Sequence, residues 1–92
     1  MSKRIFVVNS YGDNGVYYLE MTMAFTSRKD AISFAKDEVA VNEDNLTIEG
    51  IHYRTIHNDE NHWYIFEVGN PNDNAKYHKV EIVECILCDR KI

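Results

Sequence analysis

Apolar and polar positions follow two different periods along this chain, and together they predict strands at both ends and one helix between. Residues 4–9 are mostly β-branched or aromatic and run into the turn-forming segment of residues 10–15. Residues 16–23 then alternate, with one side formed by Tyr17, Leu19, Met21 and Met23. A period of two is typical of a half-buried strand. The first quarter of the chain is therefore predicted to form a strand, a turn and a second strand.

One helix is predicted after the second strand. Thr26 or Ser27 can cap its first turn, and Asp30 places a negative charge there. The residues that follow at spacings of three and four form an apolar stripe, which consists of Ala31, Ile32, Phe34, Ala35 and Val39. We expect the helix to end near Asn42. Residues 46–48 are then predicted to form a short strand or an apolar contact within an acidic loop.

The second half of the chain is predicted to contain three more strands. Strand-like runs at residues 51–57 and 62–68 are joined by a polar link of hairpin length, Asn58-Asp59-Glu60-Asn61. A turn at residues 70–74 leads into a last strand over residues 76–87. The element order ββαβββ predicts an α+β fold, an antiparallel sheet of four to five strands with one helix packed on one face.

The length of 92 residues predicts one compact acidic domain over residues 1–92. A single helix covers little of such a sheet, so we expect a homodimer to bury the other face. The N-terminal apolar run, residues 5–8, is shorter than a signal-peptide core or a membrane span. We expect a cytoplasmic protein that does not bind membranes.

Acidic residues are concentrated in the middle of the chain. Between Asp37 and Tyr77 nine acids stand against two bases (2 − 9 = −7), whereas the whole chain has a net charge of −5. A hydrophobic content of 45% is too high for a disordered acidic tail, so these charges belong to a folded surface. Such a surface repels nucleic acid and attracts proteins with basic clefts. The alternative is that the acids only keep the protein soluble.

Three of the acids recur every seven residues, at Asp30, Asp37 and Asp44. Seven residues return a helix to within about 20° of its starting face, so a row of carboxylates about 10 Å apart is predicted for as long as the helix persists. The candidate partner-binding acids combine this row with the rest of the cluster: Asp30, Asp37, Glu38, Glu43, Asp44, Glu49, Asp59, Glu60, Glu67 and Asp73.

Catalytic and metal-binding patterns are weak in this sequence. Cys85 and Cys88 have the spacing of redox motifs, but in a strand they would point to opposite faces, so we expect small, reduced, buried thiols. His57 and His62 are predicted to face each other across the hairpin without completing a zinc site. Ser10 is the nearest candidate nucleophile, and the glycines of residues 12–15 lack the lysine of a phosphate loop. We predict no enzyme, no cofactor and no metal.

From MSKRIFVVNSYGDNGVYYLEM through the acidic middle to ECILCDRKI, the chain resembles the Arn family of small anti-restriction proteins from T-even bacteriophages. The likeness is one of size, acidity and overall sequence character. It implies a dimer in the host cytoplasm that imitates duplex DNA and inhibits a host restriction endonuclease of the McrBC type, which acts on modified-cytosine DNA. The resemblance transfers no residue roles, so the choice of the ten candidate acids is based on charge clustering alone.

A different class of function remains open on the aromatic residues. Tyr53, Trp63 and Tyr64 could anchor a non-enzymatic protein-interaction module that binds another host assembly by shape. In such a module, aromatic substitutions would weaken binding more than acidic ones.

Overall fold

The computed structural model describes residues 2–13, 17–68 and 77–88. Within them, one helix and five strands follow the order ββαβββ: β1 (Ser2–Asp13), β2 (Tyr17–Phe25), α1 (Arg28–Ile48), β3 (Tyr53–Asp59), β4 (His62–Glu67) and β5 (Tyr77–Cys88). The predicted α+β class and element order are confirmed. The turn predicted at residues 70–74 lies outside the described residues.

The strands form one antiparallel sheet in the order β2-β1-β5-β4-β3. The last strand, β5, lies between two hairpins and pairs with β1 on one side and β4 on the other. The edge strands are therefore β2 and β3, and α1 is the connection between them. Because it joins opposite edges, the helix crosses one face of the sheet and leaves the other face without a covering element among the described residues.

The hydrophobic core lies between α1 and the sheet. It consists of Phe6, Val8, Trp63, Ile65, Val80 and Ile82 from the strands, with Ala31, Ala35, Val39 and Leu46 from the helix. Ala31 and Ala35 are completely buried, and side chains this small let the helix approach the strands closely. The predicted stripe is thus confirmed, with Ile32 and Phe34 half-buried at its margins.

The start of α1 is the predicted one, but its end is not. Ser27 is the N-cap, and its Oγ accepts a hydrogen bond from the Asp30 amide at 3.3 Å. The prediction of an end near Asn42, with a separate element at residues 46–48, is wrong because the helix continues to Ile48. Leu46 extends the buried stripe and is 4% exposed, so packing on the sheet holds this last turn.

The helix ends at a glycine in the left-handed conformation. Gly50 has a φ of 75°, which a side chain would disfavour. Its amide donates to the Thr47 carbonyl, and the Ile51 amide donates to the Leu46 carbonyl at 2.9 Å. These two bonds form a Schellman motif, in which Ile51 also packs against the core.

Two strand predictions need correction. The pairing of β1 with β2 shifts between Ser10 and Tyr11, so that Tyr11 pairs with Leu19 and Ser10 with Met21. This bulge places Leu19 and Met21 on opposite faces, although simple alternation predicted one face for both. In the second hairpin a similar shift pairs His57 with Trp63. His57 and His62 consequently do not face each other.

Candidate functional site

The three aspartates of the predicted row all lie on α1 and are exposed. At 100° per residue, Asp30, Asp37 and Asp44 lie roughly 160° from the centre of the buried stripe, on the side of the helix that faces away from the sheet. No basic side chain among the described residues forms an ion pair with any of them. The full charge of each carboxylate is therefore presented to solvent.

One valine and one isoleucine lie on this side of the helix, a feature that the charge pattern did not predict. Val41 is 51% exposed and Ile48 is 82% exposed. At 100° per residue, Val41 lies about 40° from Asp37 and about 60° from Asp44 around the helix, and Ile48 lies about 40° from Asp44. This side of the helix is therefore acidic, with two exposed apolar side chains among the carboxylates. We call Asp30, Asp37, Val41, Asp44 and Ile48 the outer helix face.

The other acids of α1 lie away from this face. Glu38 and Glu43 are half-buried on opposite flanks of the helix. The Oε2 of Glu43 accepts a hydrogen bond from the Thr55 hydroxyl at 2.6 Å, which ties the helix to β3. Glu49 is exposed at the C-cap. Of these three, Glu43 has a structural role that the sequence did not reveal, because Thr55 is twelve residues away.

The acids of the hairpin tip both have cationic or hydrogen-bonding neighbours. Glu60 accepts from the Arg28 guanidinium at 3.1 Å, and Arg28 also donates to the Asn61 side chain. His62 Nδ1 donates to Asp59 at 2.8 Å. That hydrogen bond, followed by one from the Asn61 amide, holds the pKa of Asp59 below its usual range. The tip therefore presents less uncompensated charge than its sequence predicts.

Two further candidates lie beyond what can be placed. Glu67 is at the end of β4, and its side chain is outside the described residues, as is the whole of Asp73. The ten acids thus fall into several groups. Only Asp30, Asp37 and Asp44 combine an exposed side chain, absence of an ion pair among the described side chains, and a common face.

The uncovered face of the sheet has a polar row that runs across all five strands. Cross-strand partners share a face, and the register aligns Thr22, Asn9, Glu81, His62 and Asp59. Thr22 donates to Asn9 at 2.6 Å, and Asn9 donates to Glu81 at 3.4 Å. Glu81 also pairs with Lys79 at 3.0 Å, a contact that raises the pKa of Lys79. These hydrogen bonds and ion pairs hold the polar side chains in place on a sheet face that no other described element covers.

Apolar and aromatic residues flank this polar row on both sides. On one side Ala24, Val7 and Val83 are cross-strand neighbours, with Ile5 beside Cys85. On the other side Tyr64 lies between Lys79 and Ile56. Val83 is 38% exposed and Leu19 is 51% exposed, although both belong to a sheet. We call this surface the open sheet face.

The remaining candidate catalytic residues are Ser10 and the two cysteines, and those that the structure describes do not form a catalytic group. Ser10 is 1% exposed beneath the helix, so it is not accessible as a nucleophile. Cys85 is a free, half-buried thiol on the open sheet face, whereas the side chain of Cys88 lies outside the described residues. Among the side chains that are described, no three histidine, cysteine or acidic residues are grouped to hold a metal ion.

The aromatic anchors of the alternative function are divided between two environments. Trp63 is 5% exposed and belongs to the core, so it is not a surface anchor. Tyr64 points to the open sheet face, where its ring stacks near His62 and Phe66 at centroid distances of 6.4 and 6.3 Å. Tyr53 is half-buried and packs against the core.

Comparison with protein-family models, curated proteins and solved structures finds no match to this chain. In the described part of the chain, no helix is long and apolar enough to cross a membrane.

Proposed function

We propose that this protein is an acidic DNA mimic that inhibits a host DNA-binding protein, a restriction endonuclease of the McrBC type, in the host cytoplasm. The observation that supports this most directly is the row of Asp30, Asp37 and Asp44 on the outer helix face. Clustered carboxylates attract the basic surface that such an enzyme uses for DNA. Inhibition is competitive: the row occupies that surface and excludes DNA, without turnover and without a cofactor.

The spacing of the row sets how closely DNA is imitated. Seven helical residues rise about 10 Å, whereas phosphates along one strand of duplex DNA are separated by about 3.4 Å of axis. The row therefore matches roughly one phosphate in three. Val41 and Ile48 lie between and beyond the charges, where contacts with the partner's side chains can add specificity that DNA does not offer.

A homodimer through the open sheet face is part of the proposal. Five strands at about 4.8 Å and the length of β5 at about 3.3 Å per residue define a face of up to roughly 950 Å², which is comparable with the ~800 Å² per partner of a stable interface. The open sheet face contains both signs of charge, at Lys79 and Glu81, so a two-fold axis can bring opposite charges together.

This dimer would place the two outer helix faces on opposite sides. The layer spacings are about 10 Å between packed sheets and about 10 Å between each sheet and its helix, which separates the helix axes by roughly 30 Å. Two rows so far apart cannot imitate the two strands of a single duplex. Each protomer would then bind its own target.

The test of DNA mimicry is a triple neutralisation, Asp30→Asn, Asp37→Asn and Asp44→Asn. Each exposed ion pair with the partner contributes about 0.5 kcal/mol, so the triple variant should inhibit cleavage of methylcytosine DNA about tenfold less strongly. Its inhibition constant should also depend less steeply on salt, because fewer charges are screened. Inhibition constants of a purified McrBC-type endonuclease at several salt concentrations provide the measurement.

The matched control changes the net charge equally at acids on other surfaces. Glu20→Gln, Glu60→Gln and Glu84→Gln remove three charges from the chain, two of which are paired with Arg28 and Arg4. This variant should inhibit almost as well as the unaltered protein. Equal losses in the two triple variants, or no inhibition by the unaltered protein, would show that the row is not the binding element.

A further inference from the structure

A groove of about 290 Å³ lies between one flank of α1 and the β3–β4 hairpin, away from the outer helix face. The helix contributes three side chains at four-residue intervals, and the hairpin contributes the opposite wall. The lining residues are Arg28, Ile32, Lys36, His57, Glu60 and Trp63. Residues four apart share a helix face, so the first three form one continuous wall.

The groove is positively charged on a protein whose net charge is −5. Its charged residues are Arg28, Lys36 and Glu60, which sum to one positive charge (2 − 1 = +1). Arg28 is already held by Glu60 and Asn61. Lys36 forms no ion pair with any described acid. The unpaired charge of the groove is thus the ammonium group of Lys36.

Aromatic and aliphatic groups line the rest of the groove. Trp63 is almost completely buried, and the imidazole of His57 stacks on its ring with centroids 4.6 Å apart and planes inclined by 6°. Ile32 is half-buried on the opposite wall. Flat aromatic surfaces favour a planar ligand, because such a ligand can extend the stack at little entropic cost.

We propose that this groove binds an organic monoanion, a carboxylate on a small planar apolar body. The carboxylate pairs with Lys36, and the apolar body lies between Ile32 and the His57–Trp63 stack. One net positive charge matches one carboxylate and leaves a phosphate dianion only half compensated. The volume is at the lower limit of ligand pockets and admits a single ring but not a nucleotide. This site is independent of the proposed DNA mimicry, since none of its lining residues lies on the outer helix face.

Benzoate is the probe, and Trp63 reports on it directly. The chain contains one tryptophan, so intrinsic tryptophan emission comes from the groove itself. Titration with sodium benzoate at constant ionic strength should give a saturable change in emission with a dissociation constant on the order of 1 mM, as expected for a ligand of nine non-hydrogen atoms. Benzyl alcohol, which has the ring without the charge, lacks the ion pair with Lys36 and should bind about fivefold more weakly.

Two matched lysine variants test the geometry. Lys36→Gln should weaken benzoate binding about fivefold, the loss expected for one partly exposed ion pair. Lys29→Gln makes the same change at an exposed lysine of the same helix outside the groove, and it should leave the affinity unchanged. Both variants should keep the far-ultraviolet circular dichroism of the unaltered protein, since glutamine is tolerated in helices.

Three results would overturn the proposal. The first is the absence of a saturable change with benzoate, and the second is an equal response to benzyl alcohol. The third is equal weakening by Lys36→Gln and Lys29→Gln, which would mean that benzoate responds only to net charge. None of these results bears on inhibition of the endonuclease, which is measured separately on the aspartate variants.

Discussion

Asp59 is a residue whose hydrogen bonds in the structure differ from the free, partner-binding carboxylate that the sequence predicted. Sequence clustering groups it with the helix aspartates as a candidate for partner binding. In the structure its carboxylate accepts from His62 and from the Asn61 amide, and both contacts favour the ionised form. Asp59 therefore acts in the local structure of the hairpin, whereas the outer helix face presents its carboxylates to solvent.

The depressed pKa of Asp59 leads to a prediction about acid stability. A carboxylate whose folded pKa lies below its unfolded value stabilises the fold above the unfolded pKa, and that contribution is lost as pH falls through the folded pKa. Asp59→Asn should therefore be less stable than the unaltered protein at pH 7, and the difference should shrink below about pH 4. Urea unfolding midpoints at pH 7, 5 and 3 measure it.

A double-mutant comparison identifies the partner responsible. In a His62→Gln background, Asp59→Asn should have a smaller effect whose pH dependence is reduced, because the main cause of the pKa change is already absent. An equal effect of Asp59→Asn in both backgrounds would show that His62 is not that cause.

The helix is the element whose two ends were predicted with unequal success. Its start is visible in sequence because Ser27 and Asp30 satisfy and complement the first amides locally. The helix ends just before Gly50. The prediction ended it too early because Asn42, Asn45 and the acids between them are typical of a loop. Burial of Leu46 against the sheet stabilises the last turns of the helix. This contact is long-range in sequence, so local helix propensity does not predict it.

Removal of the N-cap should destabilise the protein measurably. Ser27→Ala deletes the hydroxyl that accepts from the Asp30 amide, at a cost of about 1 kcal/mol in the free energy of unfolding. Ser33→Ala is the matched control, since Ser33 is exposed within the helix and alanine is the better helix former there. Chemical denaturation should show a loss for the first variant and no loss for the second. A similar loss in both would argue against capping by Ser27.

The hairpins, like the helix, were only partly predictable from the sequence. The two hairpins and the last strand were recognisable from alternation and turn residues. The bulges after Ser10 and at Asn58 were not, because each is set by how two strands meet and not by either strand alone. These bulges determine which side chains reach the helix side, and they separate His57, which lines the groove, from His62, which lies on the open sheet face.

At the scale of the whole molecule, the helix covers one side of the sheet, so the protein has two exposed surfaces of different composition: the outer helix face and the open sheet face. The outer helix face is acidic and exposed, whereas the open sheet face has apolar residues on both sides of a hydrogen-bonded polar row. In the proposed function, the first face binds a basic partner and the second face binds another copy of the same chain. A dimer through the open sheet face leaves both outer helix faces accessible.

The dimer prediction is tested by placing a charge in the open sheet face. Val83→Glu should convert a species of about 21.6 kDa (2 × 10.8) into one of 10.8 kDa by light scattering coupled to size-exclusion chromatography, because an unpaired carboxylate in an apolar contact is strongly disfavoured. Val41→Glu makes the same change at an exposed valine of the helix and should leave the dimer intact. A monomeric unaltered protein would refute this assembly.

The amino-acid sequence by itself determined the element order ββαβββ, the start of α1 and the periodic placement of Asp30, Asp37 and Asp44. Those properties depend on near neighbours along the chain, through hydrogen-bond geometry, turn preferences and the repeat of a helix. Tertiary structure alone decided that β5 lies between the hairpins, that Glu60 is neutralised by Arg28, and that Lys36 faces a groove. Each of these brings together residues far apart in sequence, and pairing across such distances follows from the packing of the whole sheet and helix.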